Sequence, residues 1–155
     1  MADPLRLGEA DAGELLTLQR AAYVTEAQAH DDPGLPPLTE SLGELVEVLR
    51  DRACFAWGTR ENGRLIAAVR ILVRGESAEV GRLVVAPDQQ RRGLGRGLLL
   101  AAEARLPVTV KKLTLFTGEH STGPLRLYPA VGYRETHRTP EQGYHLVHFE
   151  KTRAR

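Results

Sequence analysis

Glu79-Val-Gly-Arg-Leu-Val-Val-Ala-Pro-Asp-Gln-Gln-Arg-Arg-Gly-Leu-Gly-Arg-Gly-Leu-Leu-Leu100 decides how this chain reads. An apolar, β-branched run stops at Pro87, and a loop carrying Gly93 and Gly95 follows. Leu94, Leu98, Leu99, Ala102 and Leu106 then recur at helical spacing until Pro107. Glycines at a strand-to-helix junction let the backbone come close to a ligand. The unpaired N–H groups and dipole of the new helix favour an anion there. Arg91, Arg92 and Arg96 add positive charge, and no acid lies between Asp88 and Glu103. The chemistry is that of an anion cradle, best suited to a pyrophosphate.

Two common phosphate loops fail on spacing. A Walker loop needs a Gly-Lys pair, and this chain has none. The dinucleotide fingerprint Gly-x-Gly-x-x-Gly conflicts with glycines at 93, 95 and 97, and the acid wanted ~20 positions on is replaced by Thr117-Gly118.

Working outward, residues 4–10 read as a first strand, and Asp11 as the N-cap of a helix running to about residue 29. Residues 30–39, with two Asp and three Pro, read as a loop. Ser41 and Glu44 form a capping box before a second helix, whose apolar face is Leu42, Leu45, Val46 and Leu49. The periodicity then changes: 53–60, 64–74 and 78–86 are strand-like, with Asn62-Gly63 as a tight hairpin turn. Beyond the 94–107 helix come a strand at 111–117, a short helix at 124–131 capped by Gly132, and strands at 133–138 and 143–151. This order predicts an α/β (α+β) fold: a mixed, mostly antiparallel sheet of about seven strands flanked by about four helices.

The composition narrows function by exclusion. The 155 residues hold 21 basic and 20 acidic side chains, so no basic excess supports a nucleic-acid partner. Cys54, the one cysteine, can neither close an intramolecular disulfide nor build a thiolate metal cluster. No apolar run approaches the ~20 residues of a membrane span, and Met1 to Pro4 lacks the basic-then-apolar layout of a secretory leader. These features predict one cytoplasmic domain over residues 1–155, with no membrane partner. Three of the 21 basic residues are Lys and the other 18 are Arg. Arg recognises phosphate bidentately, which gives weight to the trio at 91, 92 and 96.

Gln90-x-x-Gly93-x-Gly95, after a strand ending Leu83-Val-Val-Ala-Pro87, resembles the acyl-CoA-binding signature of the GNAT N-acyltransferase superfamily. Leu127-Tyr128-Pro-Ala-Val-Gly132-Tyr133 is similar to that family's Leu-Tyr-x-x-x-Gly-Phe/Tyr element, and the element order agrees as well. The resemblance implies an N-acetyltransferase that moves an acetyl group from acetyl-CoA to a primary amine, by direct attack in a ternary complex and with no metal. A non-catalytic acyl-CoA sensor on the same fold is the alternative, kept open by Pro129 and Ser121. The acceptor would be a small-molecule or peptide amine. Homodimers are common in the family, although no feature of this sequence establishes one.

Carried onto residues, the resemblance assigns CoA binding to Leu83, Val84, Val85, Gln90, Arg91, Arg92, Gly93, Leu94, Gly95, Arg96 and Ser121. Backbone N–H groups of 91–96 would hold the pyrophosphate. The strand end Leu83–Val85 would pair with the pantetheine arm and polarise the thioester carbonyl. Ser121 stands where the family commonly has an Asn on pantetheine. Tyr128 would protonate the leaving thiolate. Pro129 next to it removes a helical hydrogen bond and crowds the Leu125 carbonyl. Glu79 has two readings: a buried general base with a raised pKa, or an edge carboxylate with water as the base. Glu26, His30, Asp31 and Asp32 fall where the family places its acceptor wall, and read as a solvated loop. His145 and His148, three apart on a strand, face opposite ways and share no metal. His120 and His137 read as surface histidines, and Cys54 as a small core hydrophobe.

Overall fold

Seven strands form one sheet in the order β1-β2-β3-β4-β5-β7-β6. The structure, a computed structural model, describes residues 3–153. The strands are β1 Leu5–Arg6, β2 Cys54–Glu61, β3 Arg64–Arg74, β4 Ser77–Val85, β5 Lys112–Gly118, β6 Arg134–Pro140 and β7 His145–Thr152. The helices are α1 Ala12–His30, α2 Pro36–Thr39, α3 Leu42–Arg50, α4 Leu94–Ala104 and α5 Thr122–Ala130. All neighbouring strands run antiparallel except β4 and β5. The sheet is the mixed, mostly antiparallel one expected. Among the described residues, no helix is long and apolar enough to cross a membrane.

Local chemistry explains most boundaries. Ser41 and Glu44 make both capping-box bonds, with Glu44 N–H donating to Ser41 Oγ at 3.1 Å and Ser41 N–H to Glu44 Oε1 at 2.9 Å. Asn62 and Gly63 both take left-handed φ values, 53° and 82°, which is the geometry of a two-residue hairpin turn.

Two expectations at the N-terminal end need correcting. The first strand is two residues long, not seven, because the chain turns through a 3₁₀ turn at Glu9–Asp11. Asp11 does not cap α1 with its side chain. It accepts the Gly8 N–H at 2.9 Å and pairs with Arg60 at 3.0 Å, which fixes the turn instead. The segment 30–39 also holds a single turn of helix, α2, which starts on Pro36, where a missing N–H costs nothing.

The sheet separates two apolar layers. On one face α4 and α5 bring Leu94, Leu98, Leu99 and Tyr128 onto Val69, Ile71, Leu113 and Phe149. On the other, α1 and α3 bring Leu15, Leu16, Leu18 and Leu45 onto Ala56, Ala68 and Val84. In β4, Ala78 and Val80 belong to the first layer, whereas Val84, and Ala86 just past the strand, belong to the second. A regular strand keeps all even residues on one face. The phase flips at a bulge: Ala68 pairs Val84 and Arg70 pairs Gly81, so Val69 opposes both Arg82 and Leu83. Arg82 takes a left-handed φ of 51° there.

Candidate active site

The bulge and a short parallel ladder create the site together. β4 and β5 pair only from Ser77 to Glu79 against Lys112 to Thr114. Beyond that, β5 pairs with β7 alone, and β4 has a free edge from Val80 to Val85. Ala86 N–H donates to Ile66 O at 2.8 Å, toward β3. Backbone groups alternate along a strand, so Val84 also faces β3, while Leu83 and Val85 present theirs to the open edge. Gln90 Nε2 donating to the Val85 carbonyl at 2.8 Å agrees with that alternation.

At the end of this edge lies the glycine loop. Arg91 and Gly93 take left-handed φ values of 64° and 74° and turn the chain into α4. The backbone N–H groups of Arg91 through Arg96 donate to no other described residue, and the first intrahelical bond is Gly97 N–H to Gly93 O at 3.0 Å. Six consecutive donors thus open next to the free edge of β4. Arg91 and Arg96 are exposed and make no ion pair among the described residues, so their charges are free for a ligand. Leu94 contributes backbone only, since its side chain is in the core at 4% exposure.

A cleft of about 870 Å³ runs from this loop, past β4, to the C-terminal half of α1. Leu83, Val84, Val85, Gln90, Arg91, Gly93, Leu94, Gly95, Arg96, Glu79 and Tyr128 all line it. Tyr128 is buried, with its ring 5.8 Å from those of both Tyr133 and Phe149. Burial, then the nearby Tyr23 and Glu26, push its pKa well up, so the hydroxyl stays protonated through the neutral range. Pro129 does not end the helix: α5 continues to Ala130, and Tyr133 N–H returns to Tyr128 O at 3.0 Å.

Three sequence-based assignments change. Arg92 is outside the cleft wall: its guanidinium meets Glu61 at 2.7 Å, so only its backbone joins the cradle. Ser121 is 3% exposed and gives its hydroxyl to Glu26, a partner 95 residues away that no local pattern reveals. Glu79 is exposed on the cleft rim, which fits the edge-carboxylate reading and not the buried one.

The α1 end of the cleft reads from sequence as solvated, and it is walled. His30 is buried; its Nδ1–H donates to Glu26 O at 2.8 Å, and its Nε2 accepts the His120 N–H at 3.0 Å. Tyr144 packs a tilted ring beside it, centroids 4.6 Å apart, and donates its hydroxyl to Asp32 at 2.7 Å. Glu26, His30 and Asp32 line the cleft, whereas Asp31 is exposed at the left-handed C-cap of α1. His137 and His148 stack face to face at 4.2 Å on the far hairpin, away from the cleft lining.

A polar cluster under the bulge carried no sequence signal. Glu40 accepts both terminal nitrogens of Arg70, at 3.1 and 2.9 Å, and Gln19 Nε2 at 2.9 Å. Arg82 Nε lies 4.0 Å from the same carboxylate. Tyr23, which also lines the cleft, has its pKa raised to about 12 by burial, against the opposing pull of Arg82.

The sequence profile of the acetyltransferase (GNAT) family matches residues 15–133, which take in β4, the glycine loop and Tyr128. The chain belongs to the GNAT acetyltransferase family. The fold of this GNAT protein is shared with solved structures of low identity. The PaiA N-acetyltransferase of Thermoplasma acidophilum, in complex with coenzyme A, superposes with a TM-score of 0.80 at 17% identity, covering 99% of this chain and 100% of that one. A ribosomal-protein-alanine N-acetyltransferase of Brucella melitensis gives 0.74 at 17% identity, covering 97% and 99%. A GNAT family acetyltransferase of Elizabethkingia anophelis with acetyl-CoA bound gives 0.56 at 23% identity, over 64% and 76%. In sequence, the chain is 32% identical over 124 residues to the UPF0157 protein YqkA of Bacillus subtilis (strain 168), covering 80% of this chain. It spans about a third (35%) of that relative's length.

Proposed function

We propose that this GNAT protein is an acetyl-CoA-dependent N-acetyltransferase, acting as one catalytic domain on a primary amine of a small molecule or peptide. The observation that carries the reading is the continuity of the site. Six free backbone donors, a free strand edge and a protonated tyrosine lie in sequence along one cleft.

The roles follow from that arrangement. The N–H groups of 91–96, with the Arg91 and Arg96 guanidinium groups, take the CoA pyrophosphate. The pantetheine arm lies along the outward backbone groups of Leu83 and Val85, one of whose N–H groups faces the thioester oxygen. The amine enters from the α1 side, and its nitrogen lone pair forms the C–N bond to the acetyl carbonyl carbon. The tetrahedral oxyanion then collapses, the C–S bond breaks, and the thiolate takes a proton from Tyr128. The ammonium proton leaves to water or to Glu79, which is exposed at the rim, and a proton from solvent restores the Tyr128 hydroxyl as CoA departs.

The test is release of CoA thiol from acetyl-CoA over a panel of primary amines, with the N-acetylated product identified by mass. Amine-stimulated release is expected. Tight acetyl-CoA binding without release over any amine would remove the reading.

A further inference from the structure

The β4 bulge holds an arginine where the backbone favours glycine. At φ 51° a β-carbon is strained, and Gly81 sits next door, so the side chain rather than the backbone accounts for Arg82. Arg82 lines the acceptor half of the cleft, with Tyr23, Glu26, Pro36 and Pro37. Its Nε is buried and makes no hydrogen bond, and no other atom of its guanidinium bonds any described residue.

The neighbouring charges leave it available. Both Glu40 oxygens are taken by Arg70, and one also by Gln19, so Glu40 stays 4.0 Å from Arg82. Arg70 repels Arg82, whereas Glu40 attracts it at 4.0 Å and Glu79, on the same strand, from outside ion-pair distance. Arg82 keeps 22% side-chain exposure and one long ion pair, so a buried Nε without a hydrogen bond leaves its fork to be completed by a group of matching geometry. The same cleft also carries the opposite charge: Tyr23, Glu26 and Tyr128 line it together with Arg82.

We infer that the acceptor is an amino carboxylate: a small molecule with its primary amine and its carboxylate on one short skeleton. Its carboxylate docks on the Arg82 guanidinium beside Tyr23, and its amine points toward Glu26 and the reacting carbonyl. A single fork beside Glu40 and Glu79 suits a monoanion, and disfavours a phosphate dianion. This inference rests on the acyl-transfer reading for its catalytic outcome, but the carboxylate site has a readout of its own.

The experiment uses matched sets: amino acids of varied side chain, their carboxamides, their decarboxylated amines and the corresponding aminophosphonates. In the wild type, kcat/KM for the best acid should exceed that of its amide by about 10- to 100-fold, the size of a lost hydrogen bond to a charged partner. In Arg82→Gln that ratio should fall toward one, with the acetyl-CoA-induced melting shift unchanged; Arg82→Lys should recover part of it. Calorimetry of N-acetyl amino acids against N-acetyl amides, on the CoA-loaded protein, should show the same preference without turnover. Amides or aminophosphonates matching the acids in the wild type, or an acid preference surviving Arg82→Gln, would overturn the inference. Absence of both turnover and acid-dependent binding would overturn it as well. Acid-dependent binding that Arg82→Gln abolishes, with no turnover, would support the carboxylate site and remove the transferase reading.

Discussion

Gly118, at the end of β5, passes so close to the His30 imidazole that a β-carbon there would lie under 3.0 Å from three ring atoms. This contact closes the α1 end of the cleft. His30 ends α1, accepts the His120 N–H just beyond Gly118, and packs against the tilted ring of Tyr144. The free end of β5 is held to α1 rather than to β4.

Gly118→Ala should therefore destabilise by about 1–3 kcal/mol, the usual cost of overpacking. His30→Ala makes room for the methyl, so in that background the same change should cost much less. Denaturant titration of the two single variants and the double variant measures the coupling. Additive costs would show that the ring is not what excludes a side chain at 118.

The two loop glycines should separate folding from binding. Gly93 has a φ of 74°, so Gly93→Ala pays the left-handed penalty, about 1–2 kcal/mol of stability. At Gly95 an added β-carbon meets only Val85 Cγ2, at an ordinary 3.5 Å. Alanine there also favours the first turn of α4 by up to ~1 kcal/mol. Gly95→Ala should melt at or above the wild-type temperature yet bind CoA about tenfold more weakly, as calorimetry would show. Unchanged CoA affinity would place the pyrophosphate elsewhere.

Tyr128→Phe removes a hydroxyl that makes no hydrogen bond to the described residues, so stability should change by no more than about 0.5 kcal/mol. Turnover should fall ~10²–10⁴-fold while CoA affinity holds, as for loss of a general acid. An undiminished rate would take Tyr128 out of the proton transfer.

Glu40 should give the fold an acid limit. Burial alone would raise its pKa, but hydrogen bonds from Arg70 and Gln19 and the charges of Arg70 and Arg82 bring it below the ordinary 4.5. A lowered folded pKa means stability that is fully present above about 4.5 and lost as pH falls through the folded value. Glu40→Gln should flatten this acid limb in melting temperature. At pH 7 it should cost about 3–5 kcal/mol, because the Arg70 partner is 12% exposed and would be left unpaired. An acid limb of undiminished depth in the variant would assign it to other carboxylates.

What could be read in advance follows the range of the interaction involved. The strands of the β2–β3–β4 meander, the capping box at Ser41 and the turn at Asn62-Gly63 are made by residues within a few positions of one another. The same holds for the anion cradle, since a glycine loop and the first turn of a helix supply the donors from six adjacent residues. Arg92 and Ser121 were legible as residue types but not in orientation, because Glu61 and Glu26, which engage them, lie 31 and 95 positions away.

By itself, then, the sequence determined the order of elements, the family and the glycine loop with its run of open backbone donors, all of which depend on periodicity and adjacent backbone groups. Only the tertiary structure decided the α1 end of the cleft. There the β4 bulge reverses which face the following side chains take, and Arg82, in the bulge, lines the cleft. Packing between α1 and the end of β5 buries His30 in what reads as a solvated segment. A one-residue shift in pleat and a contact across 90 positions leave no local pattern, so the groups that line this end of the cleft became visible only once the chain had folded.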